Sequence, residues 1–194
     1  MRPGILDIEA SGFGDAGYPI EVGVVLPDGR KYCSLITPIT QWRHWDEGAA
    51  HVHGITRAML ATRGRSVRAV AEDLNTLVGG GALYSDGWVV DSSWLVKLIF
   101  AAGLAPCFRL SPLELILDQA QMRAWHAAKD SVLADYPDRR HRASFNAFVI
   151  QETYWRTRRL SAAKRANADR VRARIGVDRS RAPVLQNCGL RAAP

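Results

Sequence analysis

The sequence predicts an α/β protein in which helices flank a mixed five-stranded sheet. Near the N-terminus, three strand-like segments follow one another and are joined by short turns, which favours an antiparallel meander. In the middle of the chain, two more strand-like segments alternate with helical patterns, which favours parallel strands. The C-terminal third has apolar residues at helical spacing, so we expect helices to flank the sheet.

Five short apolar segments are the predicted strands. They cover residues 3–8, 19–26, 30–37, 82–85 and 108–110. A glycine-rich turn over residues 12–17 follows the first strand, and Pro27-Asp28-Gly29 is a tight hairpin turn between the second and third strands. Residues 38–50 have no periodicity, and we expect them to be irregular.

Helical spacing of apolar residues predicts the helices. They cover residues 57–62, 67–78, 91–102, 119–134, 143–160 and 162–175. Thr56, Ser66 and Ser161 are the predicted N-caps of the first, second and last of these helices. We expect a main domain over residues 1–160 and a basic C-terminal helix and tail over residues 161–194.

Composition and cysteine content favour a globular protein of the cytoplasm. The 194 residues are 47% hydrophobic, which suits a core of ordinary size. No apolar run approaches the ~18 residues that a membrane-spanning helix needs, and the N-terminus lacks the apolar region of a signal peptide. Cys33, Cys107 and Cys188 have no paired spacing, which argues against a zinc site or a disulfide framework. We therefore expect a cytoplasmic protein with no membrane partner.

The net charge of +7 is unevenly distributed along the chain. Residues 156–194 carry +9, whereas residues 1–155 carry −2. A basic segment of this kind attracts the phosphates of a nucleic acid. The alternative is a solvated surface helix that keeps the protein soluble.

Two acids stand at the end of the first predicted strand. Because side chains alternate along a strand, Asp7 and Glu9 point to the same face. Buried carboxylates this close repel each other unless a cation lies between them. The pair therefore indicates a site for a hard divalent cation such as Mg²⁺. The alternative is a strand that ends in solvent, where acids cost little.

A third acid, Asp91, opens a predicted helix directly after the fourth strand. Ligands of α/β proteins bind at the carboxyl ends of the strands, so we expect Asp91 to lie near the first two acids. Asp86 lies in the same crevice and is the alternative ligand, and simple N-capping is the alternative role for Asp91. Glu21, an acid inside the second strand, either flanks the site or lies on the open face of the sheet.

Four segments of the chain, in this order, resemble the motifs of one enzyme family. They are Asp7-x-Glu9 with Phe13, His53-Gly54-Ile55-Thr56, Tyr84-Ser85-Asp86 through Asp91-x-x-Trp94-Leu95, and His141-Arg142-Ala143. Together they are similar to the motifs of the DEDD 3′–5′ exonucleases, in the histidine subtype (DEDDh) and its proofreading branch. The resemblance covers residues 5–155. It implies a ribonuclease H-like fold and an exonuclease-like domain over residues 1–160.

The resemblance also implies a reaction, the hydrolysis of phosphodiester bonds with two Mg²⁺ or Mn²⁺ ions about 4 Å apart. It implies that Asp7 bridges both ions, that Glu9 binds the ion that activates water, and that Asp91 supports the second ion. His141 would accept the proton of the attacking water, since a neutral imidazole suits a general base. The alternative for His141 is a surface histidine in a basic run.

The resemblance further implies that the turn after the first strand, Ser11-Gly12-Phe13, contacts the substrate. A base of a single strand would stack on Phe13, and the alternative is that Phe13 packs within the loop. His51 and His53 fall in a segment that the resemblance assigns to a structural turn, so we expect neither to bind metal.

One position departs from the family pattern. The last acid of the family falls five residues after the histidine, and here that residue is Asn146. An amide oxygen can coordinate Mg²⁺ but brings no charge, so the ligand set has one negative charge fewer and should bind cations more weakly. Asn146 is either native to a weak or degenerate enzyme or an introduced inactivating change, and the sequence leaves both open.

These residues lead to two principal hypotheses. The first is a metal-dependent 3′–5′ exonuclease acting on single-stranded DNA or RNA, and the second is a catalytically inactive module that binds single-stranded nucleic acid. A hydrolase of free nucleotides is a third hypothesis, which the basic tail disfavours. The choice between DNA and RNA stays open. A homodimer is left as an alternative, with Trp42, Trp45 and Trp155 as candidate interface residues.

Overall fold

The computed structural model describes residues 1–137 and 141–174, with the side chains of residues 164, 165 and 172–174 excepted. Its strands are β1 Gly4–Ala10, β2 Pro19–Val25, β3 Lys31–Leu35, β4 Ala82–Ser85 and β5 Arg109–Pro112. They form one sheet in the order β3-β2-β1-β4-β5. The first three strands are antiparallel to one another, and β4 is parallel to both β1 and β5. The predicted mixed five-stranded sheet is therefore confirmed.

Six α-helices and one short 3₁₀ turn, Leu113–Ile116, occur in the described part of the chain. The helices are α1 Glu47–His53, α2 Arg57–Arg63, α3 Val67–Val78, α4 Trp88–Ala102, α5 Gln119–Ala134 and α6 Ala143–Arg174. The predicted N-caps Thr56 and Ser66 are confirmed, since the hydroxyl oxygen of each accepts a backbone N–H three residues on, at 3.1 and 3.2 Å.

The two faces of the sheet bury different helices. Leu6 and Ile8 of β1 pack against α3 and α4, whereas Ile5 packs against α5 and α6. Because side chains alternate along β1, Asp7 and Glu9 share the face of Ile5. The two acids therefore lie on the side of the sheet that α6 covers.

Helix α1 begins inside the segment over residues 38–50 that was predicted to be irregular, and it continues to His53. The side chain of Asp46 caps it by accepting the N–H of Ala49 at 3.0 Å, and Gly54 ends it in the left-handed conformation with φ of 67°. A helix of seven residues is too short to show a periodicity in the sequence. The prediction for residues 38–50 was wrong at its C-terminal end.

Helix α4 begins three residues before the predicted start. Gly87 occupies the N-cap position, and the N–H of Asp91 donates to its carbonyl at 3.1 Å. Asp91 therefore lies within the first turn of the helix, and the alternative in which it serves as an N-cap is wrong. Its carboxylate is free to face the sheet.

Helix α6 continues through Ser161, where a break and a new N-cap were predicted. The Ser161 side chain is buried, and its hydroxyl lies 3.4 Å from the Asp118 carboxylate at the start of α5. Because this hydroxyl bonds a neighbouring helix, it does not compete for the backbone groups of α6, and α6 continues through Ser161. The predicted end of this helix at residue 175 and the tail that follows it lie outside the described residues. Within the described part, no helix is both long and apolar enough to span a membrane.

Candidate active site

Asp7 and Glu9 occupy the carboxyl end of β1, and both side chains are partly buried. In the antiparallel pair with β2, Glu9 lies opposite Glu21 and Asp7 lies opposite Gly23. The three acids therefore crowd one face of two neighbouring strands. Such crowding requires hydrogen-bond donors or cations close by.

Asn146 supplies one such donor from the first turns of α6. Its Nδ2 lies 3.2 Å from Oδ2 of Asp7 and 2.9 Å from Oε1 of Glu9. One amide group therefore joins the two carboxylates. The position that departs from the family pattern is in direct contact with both predicted ligands.

Asp91 reaches the same cluster from α4 and is 5% exposed. Its Oδ1 accepts the N–H of Ile8 at 3.1 Å, and its Oδ2 accepts the hydroxyl of Ser85. Asp86, the alternative to Asp91, instead forms an ion pair with Lys129 at 2.5 Å. Of the two, Asp91 is the one bonded to β1.

Burial dominates the electrostatics of the cluster. It raises the pKa of Glu9 to about 7, with a further contribution from the Glu21 carboxylate, while Arg142 and the Asn146 hydrogen bond oppose the rise. Burial also raises the pKa of Asp91 to about 7, although the bonds from Ser85 and Ile8 oppose it. The pKa of Asp7 is raised well above its usual value by burial and by the charges of Asp91 and Glu9. A nearby cation would stabilise the ionised form of each carboxylate and so lower its pKa.

The donor set fits a hard divalent cation better than a soft one. Asp7 and Glu9 offer carboxylate oxygens, and Asn146 offers an amide oxygen once its side chain is turned; Mg²⁺ and Mn²⁺ prefer such ligands. In the residues that the structure describes, no group of three His, Cys, Asp or Glu side chains is already arranged around a common point. Asp91 could join the set directly if it released the Ser85 hydroxyl, or through a water molecule.

A cleft of about 320 Å³ opens beside the acids. Its floor is the end of β1, and its walls come from α1, through Val52 and His53, and from α4, through Val90 and Trp94. A larger depression of about 930 Å³ lies on the other side of α1. None of the acids of the cluster lines it, so the smaller cleft is the better candidate for the site. The wall formed by α1 could not be anticipated, because that helix was not predicted.

The turn after β1 forms the mouth of this cleft. Ser11 is buried, and its hydroxyl oxygen accepts the N–H of Tyr18 at 3.1 Å. Gly12 has φ of 146°, and an added Cβ would lie 2.7 Å from Nε2 of His44. Phe13 is 79% exposed and lines the opening. Ser11 and Gly12 thus shape the turn, Phe13 is free to meet a ligand, and their predicted contacts with substrate stay predictions.

The histidines have different surroundings. His141 is exposed and stands directly before Arg142 at the start of α6. His53 is buried, and its Nδ1 accepts the N–H of Ile55 at 3.0 Å, which is consistent with a role in the turn. The predicted role of His141 as a general base stays a prediction.

Glu21 is the residue that the sequence left undecided. Its side chain is completely buried and forms an ion pair with Arg142, directly beside the acid cluster. It therefore flanks the site and does not lie on an open face. An acid in the middle of the apolar run Pro-Ile-Glu-Val-Gly-Val-Val was the available signal.

Comparisons with known proteins agree with this architecture. No protein-family model matches the chain, and no curated protein matches its sequence. E. coli exonuclease I in complex with a 5cy-dT13 oligonucleotide matches 79% of this chain at 15% identity, with a TM-score of 0.57. Exonuclease I from Methylocaldum szegediense matches 75% at 12% identity, with a TM-score of 0.56, and a product-bound exonuclease I matches 67% at 17% identity, with a TM-score of 0.50.

The present chain spans only 40%, 38% and 33% of the length of these three proteins. At such identities the likeness concerns the fold alone. Each match includes two thirds or more of the chain. The chain therefore has the mixed α/β, ribonuclease H-like fold that is also found in exonuclease I.

Proposed function

We propose that the protein is a metal-dependent 3′–5′ exonuclease that hydrolyses single-stranded DNA or RNA. The observation that carries the proposal is the convergence of Asp7, Glu9 and Asn146 within hydrogen-bonding distance at the carboxyl end of β1. An apolar cleft opens beside them, and ligands of α/β folds bind at this edge of the sheet. The fold shared with exonuclease I, two structures of which contain an oligonucleotide or a product, supports the same reaction class.

Asp7, Glu9, Asp91 and Asn146 are the proposed ligands of two Mg²⁺ or Mn²⁺ ions. When bound, these cations would offset the negative charge of the phosphodiester and help to activate water. Asp7 and Glu9 bind through carboxylate oxygens, and Asn146 through its amide oxygen. Because the amide is neutral, it contributes less to cation affinity than an aspartate would, so we expect a weak enzyme.

The remaining residues bind the substrate and move a proton. Phe13 and the apolar walls of the cleft hold the terminal base by stacking. His141, exposed beside the start of α6, accepts the proton of the attacking water. The cleft volume of about 320 Å³ lies at the small end of the usual range for ligand sites, which suits a single nucleotide.

A second function, a catalytically inactive module that binds single-stranded nucleic acid, has one observation in its favour. The Asn146 amide donates to both Asp7 and Glu9 and so satisfies the two acids without a cation. A site stabilised in this way can persist in a protein that has lost catalysis. The fold and the cleft would then serve binding alone.

The basic end of the chain is the proposed path for the rest of the strand. In its described part, Arg156 already pairs with Asp135 and Glu152, and Arg158 donates to the Tyr154 hydroxyl. These two arginines are therefore less available than the segment charge of +9 suggests. Phosphate contacts should fall mainly to the other basic residues of the segment 156–194. We treat residues 161–194 as an appendage of the main domain.

The tryptophans of the predicted dimer interface also have partners within the chain. Trp42 stacks on Tyr18 with ring centroids 5.3 Å apart, the Arg57 guanidinium lies over Trp45, and the Arg2 guanidinium lies over Trp155. All three tryptophans thus have partners within the chain. A homodimer stays a prediction.

A degradation assay separates the two functions. A 5′-labelled single strand, prepared as DNA and as RNA, is incubated with the protein and Mn²⁺. We expect slow shortening from the 3′ end that is abolished by Asp7→Ala and unchanged by Asp73→Ala, a change in an ion pair between α3 and the residues before it. An intact strand at high protein concentration, together with retained gel-shift binding, would overturn the exonuclease in favour of the inactive module.

A further inference from the structure

Glu21 is a fully buried carboxylate that joins β2 to the start of α6. Both of its oxygens lie 2.9 Å from Nε of Arg142, and Oε1 also accepts from Nη2 of the same guanidinium. Its Oε2 accepts the backbone N–H of Ala143 at 2.9 Å, and Oε1 lies 3.3 Å from Sγ of Cys33. One side chain therefore binds both the residue before the helix and the first residue of the helix.

The backbone of Arg142 continues this connection into α6. Its carbonyl accepts the N–H of Phe145 at 2.9 Å and the N–H of Asn146 at 2.8 Å. Arg142 is thus held at its side chain by Glu21 and at its carbonyl by the first turn of the helix. Asn146 lies one turn further along and carries the amide that bonds Asp7 and Glu9.

Gly23 allows the helix to approach the strand closely enough for these bonds. A Cβ added at Gly23 would lie 2.2 Å from the backbone carbon of Ala143 and 2.2 Å from the nitrogen of Ser144. Gly23 also lies opposite Asp7 in the β1–β2 pair. The first turn of α6 therefore rests directly on β2, next to the acids, and Glu21 fixes it there.

We propose that Glu21 is a positioning residue of the site, which acts through Arg142 to hold the Asn146 side chain against Asp7 and Glu9. The catalytic importance of this positioning rests on the proposed metal-dependent function. A bidentate pair between a guanidinium and a carboxylate fixes direction as well as distance, which an apolar side chain at the same position would not do. The same contacts set the place of His141, which directly precedes Arg142 in the chain.

The most specific test observes the Asn146 side chain without metal. In ¹H–¹⁵N spectra of the full-length protein, the side-chain amide of Asn146 is assigned by its disappearance in Asn146→Asp. We expect Glu21→Gln to move this resonance, because the neutral amide no longer holds Arg142 in place. Asp73→Asn is the matched control, since it weakens a different acid–arginine pair, with Arg65, and should leave the resonance unchanged.

A second readout uses Mn²⁺ alone as the probe, titrated into the same proteins. Removing a group that orients a metal ligand typically weakens metal binding by about 10–100-fold, and we expect Glu21→Gln to weaken it by about tenfold. Arg142→Lys keeps the charge but loses the bidentate geometry, so we expect an intermediate loss; this variant also serves if Glu21→Gln does not fold.

The outcomes separate this inference from the proposed function. If the wild-type protein binds no Mn²⁺, the proposed function fails, and the Asn146 resonance still decides whether Glu21 positions the amide. If Glu21→Gln and Arg142→Lys both fold and leave the Asn146 resonance where it is in the wild type, the positioning role is wrong. A similar resonance shift in Asp73→Asn would also overturn it, since the effect would then be one of general stability.

Discussion

Asp91 on α4 and Asn146 on α6 both reach the end of β1, but they bond to their surroundings in opposite senses. Asp91 accepts hydrogen bonds, from the N–H of Ile8 and from the hydroxyl of Ser85. Asn146 donates hydrogen bonds, to Asp7 and Glu9. On the α4 side of the site, a carboxylate therefore accepts hydrogen bonds from the protein. On the α6 side, a neutral amide donates hydrogen bonds to two carboxylates.

The difference indicates where a cation would act. Binding on the α6 side requires the Asn146 amide to turn its oxygen towards the cation, because an N–H group cannot coordinate a metal. Binding on the α4 side requires only that Asp91 exchange or share the Ser85 hydroxyl. Asn146 is therefore the residue that most limits cation binding at the site.

The largest effect is expected from Asn146→Asp, which makes the α6 side acidic like the α4 side. The added charge should strengthen cation binding and raise the rate of 3′-end shortening on the order of 100-fold. The rate is measured on a labelled single strand with Mn²⁺. The control is the double variant with Asp7→Ala, which should be inactive. If Asn146→Asp remains as slow as the wild type, the charge at this position does not limit activity.

Substitution of Asp91 tests the hydrogen bonds on the α4 side of the site. Asp91→Ala leaves the buried N–H of Ile8 without its acceptor, and an unsatisfied buried donor costs about 1–3 kcal/mol. Asp91→Asn keeps an oxygen for Ile8 and lets the Ser85 hydroxyl accept from the new amide, so we expect a loss within about 1 kcal/mol. Urea unfolding of the metal-free protein measures both variants. Equal destabilisation by the two changes would contradict the assigned hydrogen bonds.

The pH dependence of stability tests the acids of both sides together. Glu9 and Asp91 have folded-state pKa values raised to about 7, whereas in the unfolded chain they lose their protons near their ordinary values of 4.5 and 3.8. Between these limits the folded protein binds more protons than the unfolded one, so the free energy of unfolding falls as pH rises. We therefore expect the metal-free protein to lose stability from about pH 4 to about pH 7.

Two comparisons check this pH prediction. Glu9→Gln should flatten the decline, because it removes one of the titrating groups. Saturating Mn²⁺ should stabilise the protein more at pH 8 than at pH 5, since ionised carboxylates bind the cation. Stability that stays constant or rises over this range in the metal-free wild type would mean that these acids are not held in the folded state as described.

The smallest effect is expected at Phe13, which lies at the mouth of the cleft between the two sides. Because Phe13 is 79% exposed, Phe13→Ala should change the free energy of unfolding by no more than about 0.5 kcal/mol. Loss of one stacked base should weaken binding of a single strand by roughly fivefold, at the low end of the range for base–aromatic stacking. Gel-shift titration measures the change, with Phe100→Ala, at another exposed phenylalanine, as control. Equal binding by the wild type and Phe13→Ala would leave Phe13 as part of the loop.

The sequence was sufficient to predict the sheet because the strands carry strong local signals. The alternation along β1 correctly assigned Asp7 and Glu9 to one face, and α3 and α5 have the predicted bounds. The resemblance to the exonuclease family, whose last acid falls five residues after the histidine, singled out Asn146, and the structure brings its amide against both acids.

Other features depended on helix caps or on contacts between distant residues, which the periodicity of the sequence does not show. Helix α1 was missed because its seven residues are defined by caps at Asp46 and Gly54 and not by periodicity. The break predicted at Ser161 was wrong because its hydroxyl bonds Asp118 of another helix. The role of Glu21 could not be predicted, since its partner Arg142 is 121 residues away in the chain.

The proposed binding site for divalent cations centres on Asp7, Glu9 and Asn146. Mn²⁺ titration into the wild type, Asp7→Ala and Asn146→Asp, followed by calorimetry, tests it most directly. We expect weak binding by the wild type, none by Asp7→Ala, and binding about 10–100-fold tighter by Asn146→Asp. Binding that is the same in all three proteins would show that these residues do not bind the cation.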